Sequence, residues 1–265
     1  MTNSILLAAN IRKHALHMTH NANASHIGGA LSIADILAVL YENIVNVYPK
    51  DPGNPKRDRV LLSKGHACSA LYAVLALKGF FAEEILDTYS KNGSKLITHA
   101  SHNVPGVELS TGSLGHALSV GCGIALAAKR KKNDFRTYIL LSDGELDEGS
   151  NWEPILFAPH HKLDNLTVIV DYNKIQSLGN TEEVIPLEPL AKKFQAFNWN
   201  TIEIDGHDHK AINDALTNPE MNSKPTVVIA HTIKGKGVDF MENRLLWHYK
   251  SPNDQELEKA LSQIK

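Results

Sequence analysis

The hydrophobic positions of this chain fall into short apolar runs separated by segments with helical periodicity. Residues 138–141 and 166–170 are continuous apolar runs without alternating polar positions, which is typical of strands covered on both faces of a sheet. Residues 59–63, 200–204 and 226–230 are further strand candidates. Strands that alternate with helices indicate an α/β fold, so we predict a doubly wound, mostly parallel sheet with helices on both faces.

The segments between the strands predict helices and one long loop. A helix is expected over residues 32–43 with Ser32 as its N-cap, after a glycine-containing turn at residues 25–29. Residues 91–112 have no sustained period, and an ordered loop of that length is usually functional. The other expected helices cover residues 5–20, 64–78, 114–132, 149–161 and 210–216.

The composition gives no sign of a nucleic-acid or membrane partner. The 265 residues carry 27 Lys and Arg against 29 Asp and Glu, so no basic field attracts nucleic acid or an anionic membrane. No apolar run approaches the ~20 residues of a membrane helix, and no signal peptide is expected at the start. Two cysteines suit a reducing, cytoplasmic location. We expect residues 1–265 to form one domain, in which the fourteen histidines are the unusual feature.

Two predicted strands end in side chains that carry oxygen ligands. Asp143 follows the run at 138–141, and Asn173 follows the run at 166–170. Because parallel strands point the same way, both side chains are expected at the edge of the sheet where ligands bind in such folds. A carboxylate and an amide oxygen suit Mg²⁺, and Gly144 would let a phosphate approach the backbone. On these residues alone, a helix cap is the commoner role for Asp143.

A longer string around Asp143 resembles the thiamine diphosphate motif of transketolases. That motif opens with Gly-Asp-Gly and closes on an asparagine, and residues 142–149 (SDGELDEG) and 171–176 (DYNKIQ) correspond to its two ends. The resemblance covers essentially the whole chain, but it is to the N-terminal, diphosphate-binding half of a full transketolase only. The other matching segments, in family order, are residues 25–29, 62–66, 105–108, 110–115, 231–237 and 247–248.

The resemblance implies a metal site and a cofactor site. Asp143, Asn173 and the backbone carbonyl of Ile175 would hold Mg²⁺, with Mn²⁺ or Ca²⁺ as substitutes, and diphosphate oxygens and water would complete the coordination. His66 begins a predicted helix, where free N–H groups favour an anion. The set implied to contact thiamine diphosphate is His66, Gly112, Ser113, Leu114, Gly144, Glu145, Asn173, Lys234 and His248.

Three histidines match those that line the substrate channel in the family, namely His26, His99 and His248. The resemblance implies that they hydrogen-bond the ketose oxygens and move protons as the carbon–carbon bond breaks and forms. His102 lies close to His99 in the sequence, and we choose His99 from its spacing to residues 105–106. Each of these histidines taken singly would more often be structural.

Three positions depart from the family pattern. Ser142 replaces the first glycine of the motif, His116 stands where glutamine is common, and Ser177 stands where an apolar residue often packs against the cofactor. Residues that grip a sugar phosphate belong mainly to the half of a transketolase that this chain does not match. The departures therefore bear on substrate preference and cofactor affinity rather than on the chemistry.

The activity implied by the resemblance is that of the N-terminal subunit of a split transketolase. Such an enzyme transfers a two-carbon ketol unit from a ketose to an aldose, with sugars or sugar phosphates as substrates. It would need a C-terminal partner subunit that carries the pyrimidine-binding domain and the activating glutamate. The expected assembly is an α2β2 heterotetramer.

Other functions stay open. Within the thiamine enzymes, the chain would also fit a split transketolase specialised for an unusual sugar or a biosynthetic intermediate, or an acyl transferase similar to 1-deoxyxylulose-phosphate synthase. Outside them, a non-catalytic scaffold that only pairs with another chain is the main alternative. A NAD-binding domain is disfavoured because no Gly-x-Gly-x-x-Gly follows the first predicted strand.

Overall fold

The centre of the molecule is a sheet of parallel strands, seen in a computed structural model that describes residues 2–217 and 222–265. Its strands are β1 (Arg59–Leu62), β2 (Thr137–Ser142), β3 (Leu166–Tyr172), β4 (Asn200–Asp205) and β5 (Thr226–His231). They lie in the order β1-β2-β3-β5-β4, and every neighbouring pair is parallel. The predicted α/β fold with a doubly wound parallel sheet is therefore confirmed.

Helices connect the strands and cover the sheet. The α-helices within the described residues are α1 (Thr2–Asn21), α2 (Ile27–Ser32), α3 (Ala34–Val39), α4 (Cys68–Leu77), α5 (Ala117–Lys131), α6 (Trp152–His160), α7 (Thr181–Val184), α8 (Leu190–Ala196), α9 (His209–Thr217) and α10 (Asp254–Gln263). Short 3₁₀ turns occur at Gly65–Ala67, Glu83–Thr88, Gly144–Asp147, Gly149–Asn151 and Leu245–His248, and a π-turn at Leu40–Ile44 extends α3. None of the helices described is long and apolar enough to cross a membrane.

The central strands β2, β3 and β5 are buried on both faces, whereas the edge strand β4 is partly exposed. This burial explains why β2 and β3 consist of unbroken apolar runs in the sequence. Successive side chains of a strand point to opposite faces, so Tyr138 and Leu140 join one hydrophobic core while Ile139 and Leu141 join the other. The first core contains α1, α3 and α4, and the second contains α5, α6 and α8. The carboxyl edge of the sheet is thus fixed between two layers of helices.

Helix α5 packs closely on β2 because one of its core-facing positions has no side chain. A Cβ atom on Gly121 would lie 2.2 Å from Cδ1 of Ile139, a distance that real Cβ atoms do not tolerate. The small residues noted along this helix in the sequence therefore have a packing role at Gly121. The close approach seats the helix directly against the strand that leads to Asp143.

The segment around Ser32 differs from its prediction. Ser32 does not cap a following helix; it is the last residue of α2, and its hydroxyl donates to the Gly29 carbonyl and to Oδ2 of Asp171. Residues 27–29 are helical rather than a turn, and only His26 has a left-handed backbone, with φ 75°. The buried Asp171 carboxylate attracts the hydroxyl, an interaction that local sequence patterns do not reveal.

Residues 91–112 form an ordered segment without helix or strand, as predicted. The Ala100 N–H donates to the Gly65 carbonyl, and the Thr111 N–H donates to the Ala100 carbonyl. A Cβ atom on Gly65 would lie 2.4 Å from the Thr111 carbonyl oxygen, so this contact requires glycine. The segment is thereby fixed against the turn that carries His66, and it brings His99 to the same place.

Candidate active site

A cleft of about 110 Å³ opens at the carboxyl edge of the sheet, where the polar residues after β1, β2, β3 and β5 meet. In the register of the sheet, Ser142 lies beside Asp171 on neighbouring strands. Asp143 and Asn173 therefore lie on the same edge, as expected from the sequence. The cleft is lined by Gly29, Lys64, His66, Leu114, Ser142, Asp143, Gly144, Asn173, Ile175, Gln176, Ser177, Lys234 and His248.

Asp143 presents a carboxylate that is almost completely buried. Its Oδ1 accepts a hydrogen bond of 2.7 Å from the Gly144 N–H, and its Oδ2 accepts one from the Lys174 N–H. Burial, and then the charge of Asp171, raises the pKa of Asp143 to about 6. A carboxylate that costs this much to keep charged is stabilised strongly by a bound cation.

The other two predicted metal ligands are adjacent to Asp143. The Asn173 amide donates from Nδ2 to Oδ2 of Asp171 at 3.0 Å, while its Oδ1 accepts from the Ile175 N–H at 3.1 Å. The Ile175 carbonyl accepts from Nζ of Lys234 at 2.8 Å, so a positive group already lies against it. One carboxylate, one amide oxygen and one carbonyl oxygen form a donor set that fits Mg²⁺.

No group of three or more His, Cys, Asp or Glu side chains suited to a metal occurs among residues 2–217 and 222–265. A cation at this edge would therefore have to complete its coordination with water or with oxygens of a ligand. Gly144 is glycine because of a neighbouring side chain: a Cβ atom at that position would lie 2.6 Å from Cβ of Gln176, which packs against this turn. These features suit an oxygen-rich anionic ligand that shares the metal.

Two lysines give the cleft its positive charge, and only Lys234 is among the site residues predicted from the sequence. Lys64 is 1% exposed; it forms an ion pair with Asp171 and donates to the Gly29 carbonyl. Lys234 is 3% exposed, and burial followed by the charge of Lys64 lowers its pKa to about 8. Because Lys64 is paired with Asp171, the Lys234 ammonium is the group that can face an anion in the cleft.

Asp171 holds this arrangement together from below. Its carboxylate accepts hydrogen bonds from Lys64, Asn173, Ser32 and Thr232. Burial by itself would raise the pKa of Asp171, but the Lys64 charge and these hydrogen bonds lower it below its usual range. Its position two residues before Asn173 was the only sequence signal for this role.

Four histidines form a cluster at the mouth of the cleft. The ring of His26 lies 4.9 Å from that of His248, 5.2 Å from that of His66 and 5.8 Å from that of His99. The His26 N–H also donates to the His248 carbonyl at 2.9 Å. A Cβ atom on Gly112 would lie 3.0 Å from Cδ2 of His99, so Gly112 lets this ring approach. The three histidines predicted to be catalytic are therefore brought together beside His66.

The histidines of the cluster with shifted pKa values are uncharged at neutral pH. Burial, together with His99 and then Lys234, lowers the pKa of His26 to about 4, and burial followed by Lys234 lowers that of His248 to about 3. The pKa of His66 is lowered well below its ordinary value by burial and by Lys64. Neutral imidazoles can both donate and accept a hydrogen bond, which charged ones cannot.

His102 is exposed, and its Nδ1 lies 2.7 Å from Oγ of Ser110. The ring that contacts His26 in the cluster is therefore that of His99.

Of the other residues implied by the resemblance, Leu114 lines the cleft, whereas Ser113 is exposed. Among the departures from the family pattern, Ser142 is the last residue of a strand and does not need glycine, His116 is exposed, and Ser177 lines the cleft.

Glu145, like Gly112 and Ser113, belongs to the set implied to contact the cofactor but is not among the residues that line the cleft. Its carboxylate is fully buried and does not line the cleft. It accepts hydrogen bonds from the Ser63 hydroxyl and from the N–H groups of Gly115 and Ser142. Its side chain ties the ends of β1 and β2 to the segment just before α5.

Comparison with known proteins gives consistent similarities over the whole chain. A family model described as the transketolase thiamine diphosphate binding domain matches residues 4–263. A protein of Phocaeicola vulgatus, named as one subunit of an apulose-4-phosphate transketolase, is 43% identical over 96% of this chain and 90% of that protein. A 6-deoxy-6-sulfo-D-fructose transketolase subunit of Clostridium sp. (strain MSTE9) is 41% identical, over 96% of this chain and 93% of that protein.

Complete transketolases match over a smaller part of their length. Human transketolase is 36% identical over 97% of this chain, but only 41% of the human protein is covered. The crystal structure of transketolase from Campylobacter jejuni superposes with a TM-score of 0.94 at 33% identity, over 100% of this chain and 43% of that one. The chain thus spans about two fifths of these transketolases. Its ordered motifs, its fold and these similarities together show that this chain belongs to the transketolase family, in which it corresponds to the thiamine diphosphate-binding domain.

Proposed function

We propose that this chain is the diphosphate-binding subunit of a two-chain transketolase that transfers a two-carbon ketol unit from a ketose to an aldose. The observation that carries the proposal is a single cleft lined by oxygen ligands, lysines and two histidines of the cluster, namely Asp143, Asn173, Lys64, Lys234, His66 and His248. The ring of His26 lies against both of these histidines. Oxygen ligands, positive charge and neutral imidazoles are the groups that metal binding, diphosphate binding and proton transfer require.

The residues of the cleft fit thiamine diphosphate with Mg²⁺. Asp143, Asn173 and the Ile175 carbonyl would hold the cation, and Mn²⁺ or Ca²⁺ would be accepted by the same oxygens. Lys234 would face the diphosphate and offset part of its charge. When bound, the cofactor supplies the carbon nucleophile and the electron sink for cleavage of the carbon–carbon bond.

The chain's own part in the reaction is to orient the sugar and to move protons. His26 and His248 are half-buried and uncharged at neutral pH, so each ring can donate one hydrogen bond to the sugar oxygens and accept another. We assign to them the proton transfers that accompany cleavage and formation of the carbon–carbon bond. His99 would complete this set from the ordered segment at residues 91–112. We assign hydrogen bonding of the ketose oxygens to these three residues.

We further propose that the active enzyme contains a second subunit. The chain covers nearly all of the relatives named as subunits but about two fifths of complete transketolases. The partner would carry the pyrimidine-binding domain and the activating glutamate, in an α2β2 heterotetramer. Residues 1–265 would act as one diphosphate-binding domain. The two buried, free cysteines support a cytoplasmic location, where thiols stay reduced.

The names of the relatives favour a second form of the proposal, in which the substrate is a specialised sugar. Two of them are named for apulose-4-phosphate and 6-deoxy-6-sulfo-D-fructose, which are uncommon ketoses or their phosphates. A donor that is a ketose, rather than pyruvate, also suits a channel lined by three histidines. Acceptor choice would depend mainly on the partner subunit.

The test is reconstitution. The purified chain, its C-terminal partner and their mixture are assayed for ketol transfer with panels of ketose phosphates, sulfonated ketoses and pyruvate as donors, with thiamine diphosphate and Mg²⁺ present. We expect negligible turnover from the chain alone and full activity from the mixture, lost in the mixture made with Asp143→Ala. Robust activity of the chain alone would refute the two-chain proposal, and a preference for pyruvate would refute ketol transfer.

A further inference from the structure

A buried carboxylate lies one layer behind the cleft, at the start of α3. Asp35 is 5% exposed and accepts two hydrogen bonds from Arg12, from Nη1 at 3.0 Å and from Nη2 at 2.5 Å. Its Oδ2 also lies 2.7 Å from Nδ1 of His207, and its Oδ1 lies 3.1 Å from Nε2 of His209. Burial alone would raise the pKa of Asp35, but the two histidine hydrogen bonds and the Arg12 charge lower it below its usual range.

Two of the residues that bind Asp35, His207 and Arg12, also form hydrogen bonds with the backbone on either side of Lys234. The Ile233 N–H donates to Nε2 of His207 at 2.8 Å. Nε of Arg12 donates to the Lys236 carbonyl at 3.1 Å. The segment at residues 232–237, here named the Lys234 loop, thus takes part in one of these hydrogen bonds just before and in the other just after the lysine whose ammonium lies in the cleft. In addition, the Gly235 N–H donates to the Gly28 carbonyl, and the Lys234 carbonyl accepts from the Asn243 N–H.

The hydrogen bonds also fix the form of the His207 ring. Because Nε2 accepts from an N–H group, the proton of the neutral ring must be on Nδ1, which donates to Asp35. The carboxylate therefore selects the tautomer that can accept from the Ile233 N–H. Carboxylate–imidazole pairs behind binding sites commonly orient the ring in this way.

We propose that Asp35 is a positioning residue for Lys234: through His207 and Arg12 it sets the Lys234 loop and thereby the place of the ammonium in the cleft. As far as the ligand is concerned, the proposal rests on the proposed function, since Lys234 is taken to contact the diphosphate. The placement of the loop itself does not depend on that function.

His209 provides a matched control within the same cluster. It donates to the same carboxylate as His207, and their side chains are 10% and 11% exposed. Its other ring nitrogen lies 2.9 Å from Oγ of Ser4 rather than against the Lys234 loop. Removing either histidine costs Asp35 one partner, but only the removal of His207 also costs the loop a direct hydrogen bond.

The experiment compares His207→Ala, His207→Gln and His209→Ala in the full chain, since Asp35 variants risk failing to fold. Hydrogen exchange of a peptide that covers residues 232–237 is followed by mass spectrometry. We expect exchange in His207→Ala to be about ten-fold faster or more, because its loop opens locally. His209→Ala should resemble the unchanged chain, and His207→Gln should recover part of the protection because its amide oxygen can accept from the Ile233 N–H.

The second readout is the thiamine diphosphate concentration that half-saturates the enzyme assembled with its partner. We expect it to rise about 10–100-fold in His207→Ala with little change in kcat, and to stay unchanged in His209→Ala. Unchanged exchange in His207→Ala, or equal effects in both alanine variants, would overturn the proposal. If neither the variants nor the unchanged protein bind thiamine diphosphate, the proposed function fails, while the exchange data still decide whether His207 links Asp35 to the placement of the loop.

Discussion

Lys64 and Asp171 form an ion pair in which each side chain is only 1% exposed. Each charge of so deeply buried a pair depends on the other, because water cannot solvate the charge that remains when its partner is removed. Asp171 also fixes the Asn173 amide. The stability of the sheet edge and the orientation of a proposed metal ligand therefore depend on the same carboxylate.

Replacement of Lys64 by methionine is expected to destabilise the free chain by about 3–5 kcal/mol at pH 7, because Asp171 is left as an unpaired buried charge. The pKa of Asp171 is lowered in the intact pair, so the pair's contribution is lost only as the pH falls below the ordinary value of 3.8. Without the Lys64 charge, burial instead raises the pKa of this carboxyl, which takes up a proton as the pH falls towards 4 and no longer leaves a buried charge. The difference in free energy of unfolding between Lys64→Met and the unchanged chain should therefore shrink between pH 7 and pH 4. Urea unfolding measures it. Lys129→Met is the control, since the more exposed Lys129–Asp164 pair should contribute less than about 1 kcal/mol.

Asp143 should make the free chain less stable as the pH rises. Its pKa is raised to about 6, so the folded state holds this proton more tightly than the unfolded state does. Stability should fall by on the order of 3 kcal/mol between pH 4 and pH 7 from this group. In Asp143→Asn that part of the pH dependence in urea unfolding should disappear, and Mg²⁺ with thiamine diphosphate should no longer raise Tm. An unaltered pH profile would contradict the assignment; Asp134→Asn, at an exposed position, is the control.

Substitution of His26 or His248 by alanine should lower kcat/KM of the reconstituted enzyme by about 10²–10⁴-fold, as expected for loss of a proton-transfer group. In His26→Ala the half-saturating concentration of thiamine diphosphate should change much less, whereas in His248→Ala it should also rise, because His248 lines the cleft. Because the pKa values of both rings are lowered to about 4 and about 3, their protonation should cause no loss of activity between pH 8 and pH 6. The exposed His102→Ala variant serves as the comparison. Equal losses in all three variants would argue against a catalytic role for the cluster.

Gly121→Ala should destabilise the chain by about 1–3 kcal/mol, because its new Cβ meets Cδ1 of Ile139 in a full core. Ile139→Val removes that methyl group and alone should cost about 0.5–1.5 kcal/mol. The double variant should be more stable than the sum of the two effects predicts. A double-mutant cycle by urea unfolding measures the coupling, and strict additivity would show that α5 moves away from the strand instead.

Much of the fold and part of the site could be predicted from the sequence because each depended on local patterns. Unbroken apolar runs identified β2 and β3, and the direction of parallel strands placed Asp143 beside Asn173. The roles of Lys64 and Asp171 could not be predicted, since a lysine and an aspartate usually lie at the surface and their burial depends on a partner 107 residues away.

Other features escaped prediction for related reasons. Ser32 has the residue type of a helix cap, but its hydroxyl is attracted by a carboxylate on a distant strand. Glu145 lies within the metal motif, yet its carboxylate satisfies backbone N–H groups beneath the cleft. In contrast, α10 could have been found: Asn253 and Glu256 form a capping box, which is a purely local signal.

The histidine cluster joins residues 26, 66, 99 and 248, so its members come from nearly the full span of the polypeptide. No fragment that folds early can contain a finished site, because the last of these rings arrives only when the C-terminal region docks. Binding of a ligand at this site would then show that the whole chain has folded. Partly synthesised or truncated chains would remain inert, even where their strands had already paired.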